Sequence, residues 1–127
     1  MPPSPSKPRS KARIAAYLGG HRGEALAALF LRLKLYRIMT RRYKTPVGEI
    51  DLIASRFGTV VFVEVKARSR AAAEGETLEA VNQSRILRAA QYWLARHPEQ
   101  AATPLRFDII FITPGRWPRH LVNAFGA

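Results

Sequence analysis

The chain has no cysteine, which excludes disulfides, zinc–thiolate centres and thiol catalysis. Acidic residues are also scarce: 9 Asp and Glu stand against 21 Lys and Arg. There are 3 histidines, and His21, His97 and His120 show no metal-ligand spacing. Long apolar runs are missing as well. The most apolar helix-like stretch, Ala25 to Tyr36, is interrupted by Arg32 and Lys34, so no membrane-spanning helix is expected. No apolar segment closely follows the basic residues at the N-terminus, and a signal peptide is not expected either. A cytoplasmic protein without a membrane partner is the simplest expectation.

What the chain does have is positive charge. A formal net charge of +12 over 127 residues points to a polyanionic partner, most often nucleic acid. An anionic membrane surface is the competing reading. The length suits one domain with a real core and not two. A homodimer is compatible with it. Met1 to Lys11, rich in Pro, Ser and basic residues, reads as a disordered tail, so the domain is expected over 13–127 and the tail over 1–12.

The chain is organised around Gly48 to Arg68, GEIDLIASRFGTVVFVEVKAR. It reads as two strands joined by a tight turn at Gly58. Glu49 and Asp51 lie on the first; Glu64 and Lys66 interrupt the apolar run of the second. A strand so apolar is normally covered on both faces. Charges there are costly unless they pair, accept hydrogen bonds or bind a metal. Side chains two apart on a strand share a face, so Glu64 and Lys66 point one way while Val63 and Val65 point the other. A two-residue loop at Phe57-Gly58 would set Asp51 opposite Glu64; a four-residue loop from Ser55 to Gly58 would set Glu49 there. Either keeps Asp51, Glu64 and Lys66 on one face, whereas an unbulged three-residue loop would split them. A buried Glu–Lys pair is the bland account. Two further acids brought in by the same turn favour a site.

The remaining elements surround that hairpin. A helix is expected over about Arg22 to Lys34, broken before it at Gly19-Gly20, with Ala25, Leu26, Leu29, Phe30 and Leu33 as its core face. Glu24 sits in its first turn, where an acid suits the helix dipole; the functional alternative is an accessory ligand. Arg37 to Tyr43 reads as a strand, and Ser69 to Glu76 as a connecting loop and candidate mobile segment. Thr77 opens a second helix that His97-Pro98 ends, with Val81, Leu87, Ala90 and Leu94 buried and Trp93 in the core. Arg85, Arg88, Tyr92 and Arg96 recur at spacings of three and four on another face. They suit a phosphate backbone or, equally, a solvated surface. Leu105 to Thr113 is a central strand in which Asp108 is expected to pair structurally with Arg106. Arg116 to Phe125 is expected as an edge strand packing back through Trp117, Leu121, Val122 and Phe125. Together these elements give an α/β fold with a mixed central sheet flanked by helices.

An Asp, about a dozen residues and then Glu-x-Lys on a buried strand resembles the PD-(D/E)xK fold of restriction endonucleases and Holliday junction resolvases. More closely, Gly23-Glu24, GEIDLIA at Gly48 to Ala54, FVEVKAR at Phe62 to Arg68 and Arg106 to Asp108 resemble the bacterial YraN family, with a match reaching nearly everything after Arg13. Arg85 stands where that family tends to carry Lys, and Ala71 to Gly75 diverges. The resemblance implies a restriction-endonuclease-like fold and a metal-dependent nuclease. It implies Asp51, Glu64 and the Val65 carbonyl as ligands of Mg²⁺ or Mn²⁺. It further implies Glu24 as an accessory ligand, Glu49 as a second-metal ligand or supporting acid, and Lys66 at the reacting phosphate. Arg68, Arg85, Arg88, Tyr92 and Arg96 would then meet nucleic acid. The rival expectations are a binding module that kept the fold without cutting, and a structural adaptor docking through the first helix.

Overall fold

The computed structural model describes residues 23–67 and 83–126. A helix α1, described over residues 23–33, leads into β1 (Arg37–Thr45), β2 (Gly48–Arg56) and β3 (Thr59–Ala67). A second helix, α2 (Gln83–Arg96), and a short turn of 3-10 helix (Pro98–Gln100) precede β4 (Leu105–Ile112) and β5 (Arg119–Phe125). The expected tail over 1–12, the break at Gly19-Gly20, the loop Ser69 to Glu76, Thr77 and Val81 lie outside the described residues.

The register of the sheet follows from the turn between β2 and β3. Arg56 faces Thr59, so the loop is Phe57 and Gly58 alone. Both have positive φ, 50° and 81°, as the commonest tight hairpin turn requires. This even loop keeps the charged residues of β2 and β3 on one face. The five strands stand in sequence order, β1 to β5. Neighbours are antiparallel except β3 and β4, which run parallel. A parallel pair needs a crossover, and α2 lies in it. The result is a mixed sheet covered by α1 on one face and α2 on the other, an α/β fold of the restriction-endonuclease-like kind.

Each face has its own core. On one, Ala27, Ala28 and Leu31 of α1 pack against Leu52, Ala54, Val61, Val63 and Ile110. On the other, Ile86, Ala89, Ala90 and Trp93 of α2 pack against Ile53, Val60 and Phe62. The Trp93 ring meets Phe62 edge-on with centroids 5.6 Å apart, so Trp93 is core as expected.

Three expectations about packing need correction. The face that α1 buries is Glu24, Ala27, Ala28 and Leu31, while Leu26, Leu29 and Leu33 remain 49%, 52% and 71% exposed. Two apolar stripes with the same spacing run along this helix, and the sheet takes the one with small residues, which lets the backbones approach closely. On α2 the fully buried stripe is Ile86, Ala89, Ala90 and Trp93, with Leu87 and Leu94 only half-buried. In the last segment Leu121 and Phe125 are half-buried, but Trp117 is 84% exposed and Val122 50%.

Candidate metal centre and nucleic-acid interface

Near the β1–β2 turn the hairpin opens. The paired ladder of β2 and β3 runs from Arg56–Thr59 to Leu52–Val63 and stops there. One step further the same register sets Asp51 across from Glu64. Instead of a ladder bond, Asp51 Oδ2 accepts the Val65 N–H at 2.7 Å. A side chain thus replaces a strand partner and draws the carboxylate against β3 beside Glu64.

A cavity of about 120 Å³ sits at this opening, lined by Glu49, Asp51, Glu64, Arg85 and Ile86. The helix that roofs it comes very close: a Cβ on Gly48 would run into the Arg85 carbonyl oxygen. Glycine at the head of GEID is therefore what lets α2 settle onto the start of β2 and carry Arg85 to the acids. Lys66 is half-buried two residues beyond Glu64, hence on the same side of β3.

The electrostatics of Asp51 are those of an acid short of positive charge. Burial raises its carboxyl, the Val65 hydrogen bond opposes this, and Glu64, Glu49 and Glu24 add to the rise, which brings it to about 6. The three other acids expected at the site thus all act on Asp51. Glu24 reaches it from α1, where it is buried and gripped by Arg41 through two contacts of 3.2 Å. Among the described residues no group of three or more acidic or histidine side chains is clustered tightly enough to hold an ion by side chains alone. The donor set that fits a hard cation is two carboxylates, a backbone carbonyl and water, which is what Mg²⁺ favours.

Of the basic residues expected at nucleic acid, Arg68 lies outside the described residues. Arg85 lines the acidic cavity. Arg88 and Arg96 are exposed, and Arg96 donates to the Tyr92 hydroxyl at 2.7 Å with its guanidinium over that ring. At 1.5 Å rise per residue, the stripe leads about 16 Å along α2 away from the cavity.

A second buried acid has the opposite surroundings. Asp108 takes two bonds from Arg106, at 2.9 and 2.8 Å, one from His120 Nε2 at 2.7 Å and one from the Asn123 N–H at 2.9 Å. Arg106 also donates to the Tyr36 hydroxyl. On the far side of the imidazole, Lys34 Nζ lies 2.7 Å from Nδ1. The structural pairing expected for Asp108 is there, but His120 is a buried member of this network and not the idle residue its spacing suggested. The part of β5 is also new: around Asn123, whose φ is 55°, the ladder with β4 slips and turns a backbone donor onto the carboxylate.

A mixed sheet between two helices, with Asp on one hairpin strand and Glu-x-Lys on the next, places the chain in the restriction-endonuclease-like class. The family is shown by sequence comparison: the chain belongs to the family described as "Uncharacterised protein family UPF0102", whose model matches residues 23–112. Among its relatives, a UPF0102 protein of Chelativorans sp. is 52% identical over 118 residues, covering 91% of this chain and 93% of the relative. One from Rhodopseudomonas palustris is 51% identical over 122 residues, covering 96% and 94%. A third, from Parvibaculum lavamentivorans, is 51% identical over 112 residues, covering 88% and 84%. Among the described residues no helix is long and apolar enough to cross a membrane.

Proposed function

We propose that this protein is a metal-dependent phosphodiesterase that hydrolyses nucleic acid, DNA ahead of RNA. The observation that carries the reading is Asp51, a carboxyl raised to about 6 by burial and three neighbouring acids at the edge of an acid-lined cavity. A fold that only needs stability does better with apolar residues there. A protein that only grips a polyanion has no use for buried acids facing it. Asp51, Glu64 and the Val65 carbonyl would hold Mg²⁺ or Mn²⁺, with Glu24 and Glu49 as outer acids. When bound, the ion supplies Lewis acidity and charge neutralisation at the attacked phosphate.

The chain's own residues do the rest. The Val65 N–H bonds Asp51 Oδ2 and fixes the carboxylate in orientation at the cavity wall. Lys66, on the Glu64 side of β3, donates to the attacking water or to a phosphate oxygen as charge grows there. Arg85 meets the phosphate at the cavity mouth, and Arg88, Tyr92 and Arg96 carry the strand along α2. A second reading, a binding module that no longer cuts, draws on Arg85, a basic residue that lines the same cavity as the acids.

Cleavage decides between them. Labelled duplex, branched and single-stranded DNA and RNA, incubated with Mg²⁺ or Mn²⁺, should be cut by the wild type and not by Glu64→Ala. Lys66→Ala should lose cleavage by roughly 10²–10³-fold while melting and duplex binding change little. Binding without any cutting across the whole panel would leave the binding module as the better account.

A further inference from the structure

The end of the sheet that holds the acidic cavity carries a second feature. Lys66 is in register with Phe111 of β4, and Phe111 with Arg119 of β5. Residues side by side in register share a face, so Lys66, Phe111 and Arg119 form a row on the face that bears Glu64. The Arg119 guanidinium lies over the Phe111 ring, 5.4 Å from its centroid, and Phe111 is buried, so that ring is a fixed base for the cation. Two strand spacings separate Arg119 from Lys66, about 10 Å.

The β4–β5 connection leaves the sheet at this same end, and it holds the most exposed large apolar side chain of the described residues. Trp117 is 84% exposed, whereas Trp93, the other tryptophan, is 1%. Tryptophan has more apolar surface to hide than any other residue. Phe57, nearly as exposed at 82%, is a turn residue at the opposite end of the sheet. Trp117 stands two residues before Arg119, within about 7 Å along the chain, and is followed by Pro118, which restricts its backbone.

We infer that Trp117 and Arg119 form a holding site for an unpaired stretch of nucleic acid next to the acidic cavity, an indole for a base and a guanidinium for a phosphate. The inference rests on the nucleic-acid reading above and narrows it to substrates with single-stranded character. In a duplex each base is stacked on its neighbours and has no free face, so an exposed indole favours bases that are splayed out. The guanidinium recognises phosphate in any strand. Unpaired DNA and unpaired RNA both offer this chemistry.

The test uses the full chain with EDTA present, so that nothing is cut, and follows the anisotropy of labelled (dT)20, (rU)20 and a 20-base-pair duplex. Trp117→Ala should weaken binding of the single strands about tenfold and leave duplex affinity within about twofold. Trp117→Phe, which keeps a stacking ring, should recover most of the loss. Arg119→Ala should lower the salt dependence of single-strand binding by about 0.7 in log–log slope, as expected for one phosphate contact. A preference of wild type for (dT)20 or (rU)20 that shrinks in Trp117→Ala identifies which polymer the site serves. Equal losses on single strand and duplex, or none on either, overturn the inference. If wild type binds the duplex and, given Mg²⁺, cuts it while Trp117→Ala is indifferent, only the holding site falls. If wild type binds no nucleic acid at low salt, the nucleic-acid reading falls with it.

Discussion

Asp51 and Asp108 are both interior aspartates on opposite faces of one sheet, and the protein treats them in opposite ways. Asp108 is surrounded by donors: Arg106 twice, His120 and the Asn123 N–H. Burial pushes its carboxyl up, but those bonds outweigh the burial and hold it below the ordinary aspartate value. Among the described residues Asp51 has one backbone donor, from Val65, and three neighbouring acids, and it rises to about 6. One site is complete within the chain. The other lacks such a set of donors among the described residues, and a cation is what the proposed function would add there. Buried charge by itself therefore does not mark function; the balance of donors around it does.

The largest effect that would sharpen this contrast is loss of the Asp108 carboxylate. Asp108→Ala leaves Arg106 and His120 facing a hole at the centre of their network, and it should cost about 3–5 kcal/mol of stability. Thermal or urea unfolding would show it. Because the folded pKa of Asp108 lies below its unfolded value of 3.8, the stability it contributes is present above that value. It is lost as pH falls through the folded pKa. Wild type should thus show an acid-unfolding limb that Asp108→Asn flattens. If Asp108→Ala is as stable as wild type, the two aspartates do not differ in kind.

Asp51→Asn should act in the other direction. The unfolded carboxyl ionises near 3.8 and the folded one near 6, so its contribution is full below 3.8 and drains away as pH rises to 6. That difference of about two units corresponds to about 3 kcal/mol. Asn can still accept the Val65 N–H. The metal-free variant should therefore match wild type at pH 4 and exceed it by up to about 3 kcal/mol at pH 7. Mg²⁺ at about 100 times its dissociation constant should stabilise wild type by about 2.7 kcal/mol, and the variant should lose that increment. If instead the variant is destabilised at pH 7 and keeps the increment, Asp51 is a structural acid like Asp108.

These two aspartates also mark what was legible in the sequence. The Asp51 site is nearly all local: a glycine turn, a strand period of two and four charged residues within 18 positions of one another fix the register and the face. Gly48 and Arg85 are the exception, since nothing in the spacing says which part of a distant helix sits on that glycine. The Asp108 network was half legible. Arg106 is two residues away, but His120 and Asn123 arrive through a bulged pairing with β5, and local patterns do not report such slips. The buried face of α1 misled for another reason: Leu26, Leu29 and Leu33 repeat as regularly as Ala27, Ala28 and Leu31, and periodicity cannot rank two apolar stripes. Read from spacing alone, Trp117 belongs to packing, as tryptophan usually does. Only its place in a connection beyond the last register pair shows otherwise.

The smallest effect tests how far the Asp108 network extends. The Tyr36 hydroxyl takes a bond from Arg106, and the Arg56 guanidinium lies over the same ring with Cζ 4.2 Å from its centroid. Tyr36→Phe keeps the ring, its edge-on contact with His120 and its place in the core, and it removes one acceptor from a charged donor. Such a change costs about 1–2 kcal/mol when the donor is desolvated and much less when water can replace the lost oxygen. The Arg106 side chain is 21% exposed, so the lower part of that range, about 1 kcal/mol, is expected. A double-mutant cycle with Asp108→Asn separates the two possibilities. If Tyr36 helps hold Arg106 on the carboxylate, the Tyr36→Phe cost should shrink by at least about 0.5 kcal/mol once the carboxylate is gone. If the costs simply add, the network ends at Arg106, and the completeness of the Asp108 site is owed to its four direct bonds alone.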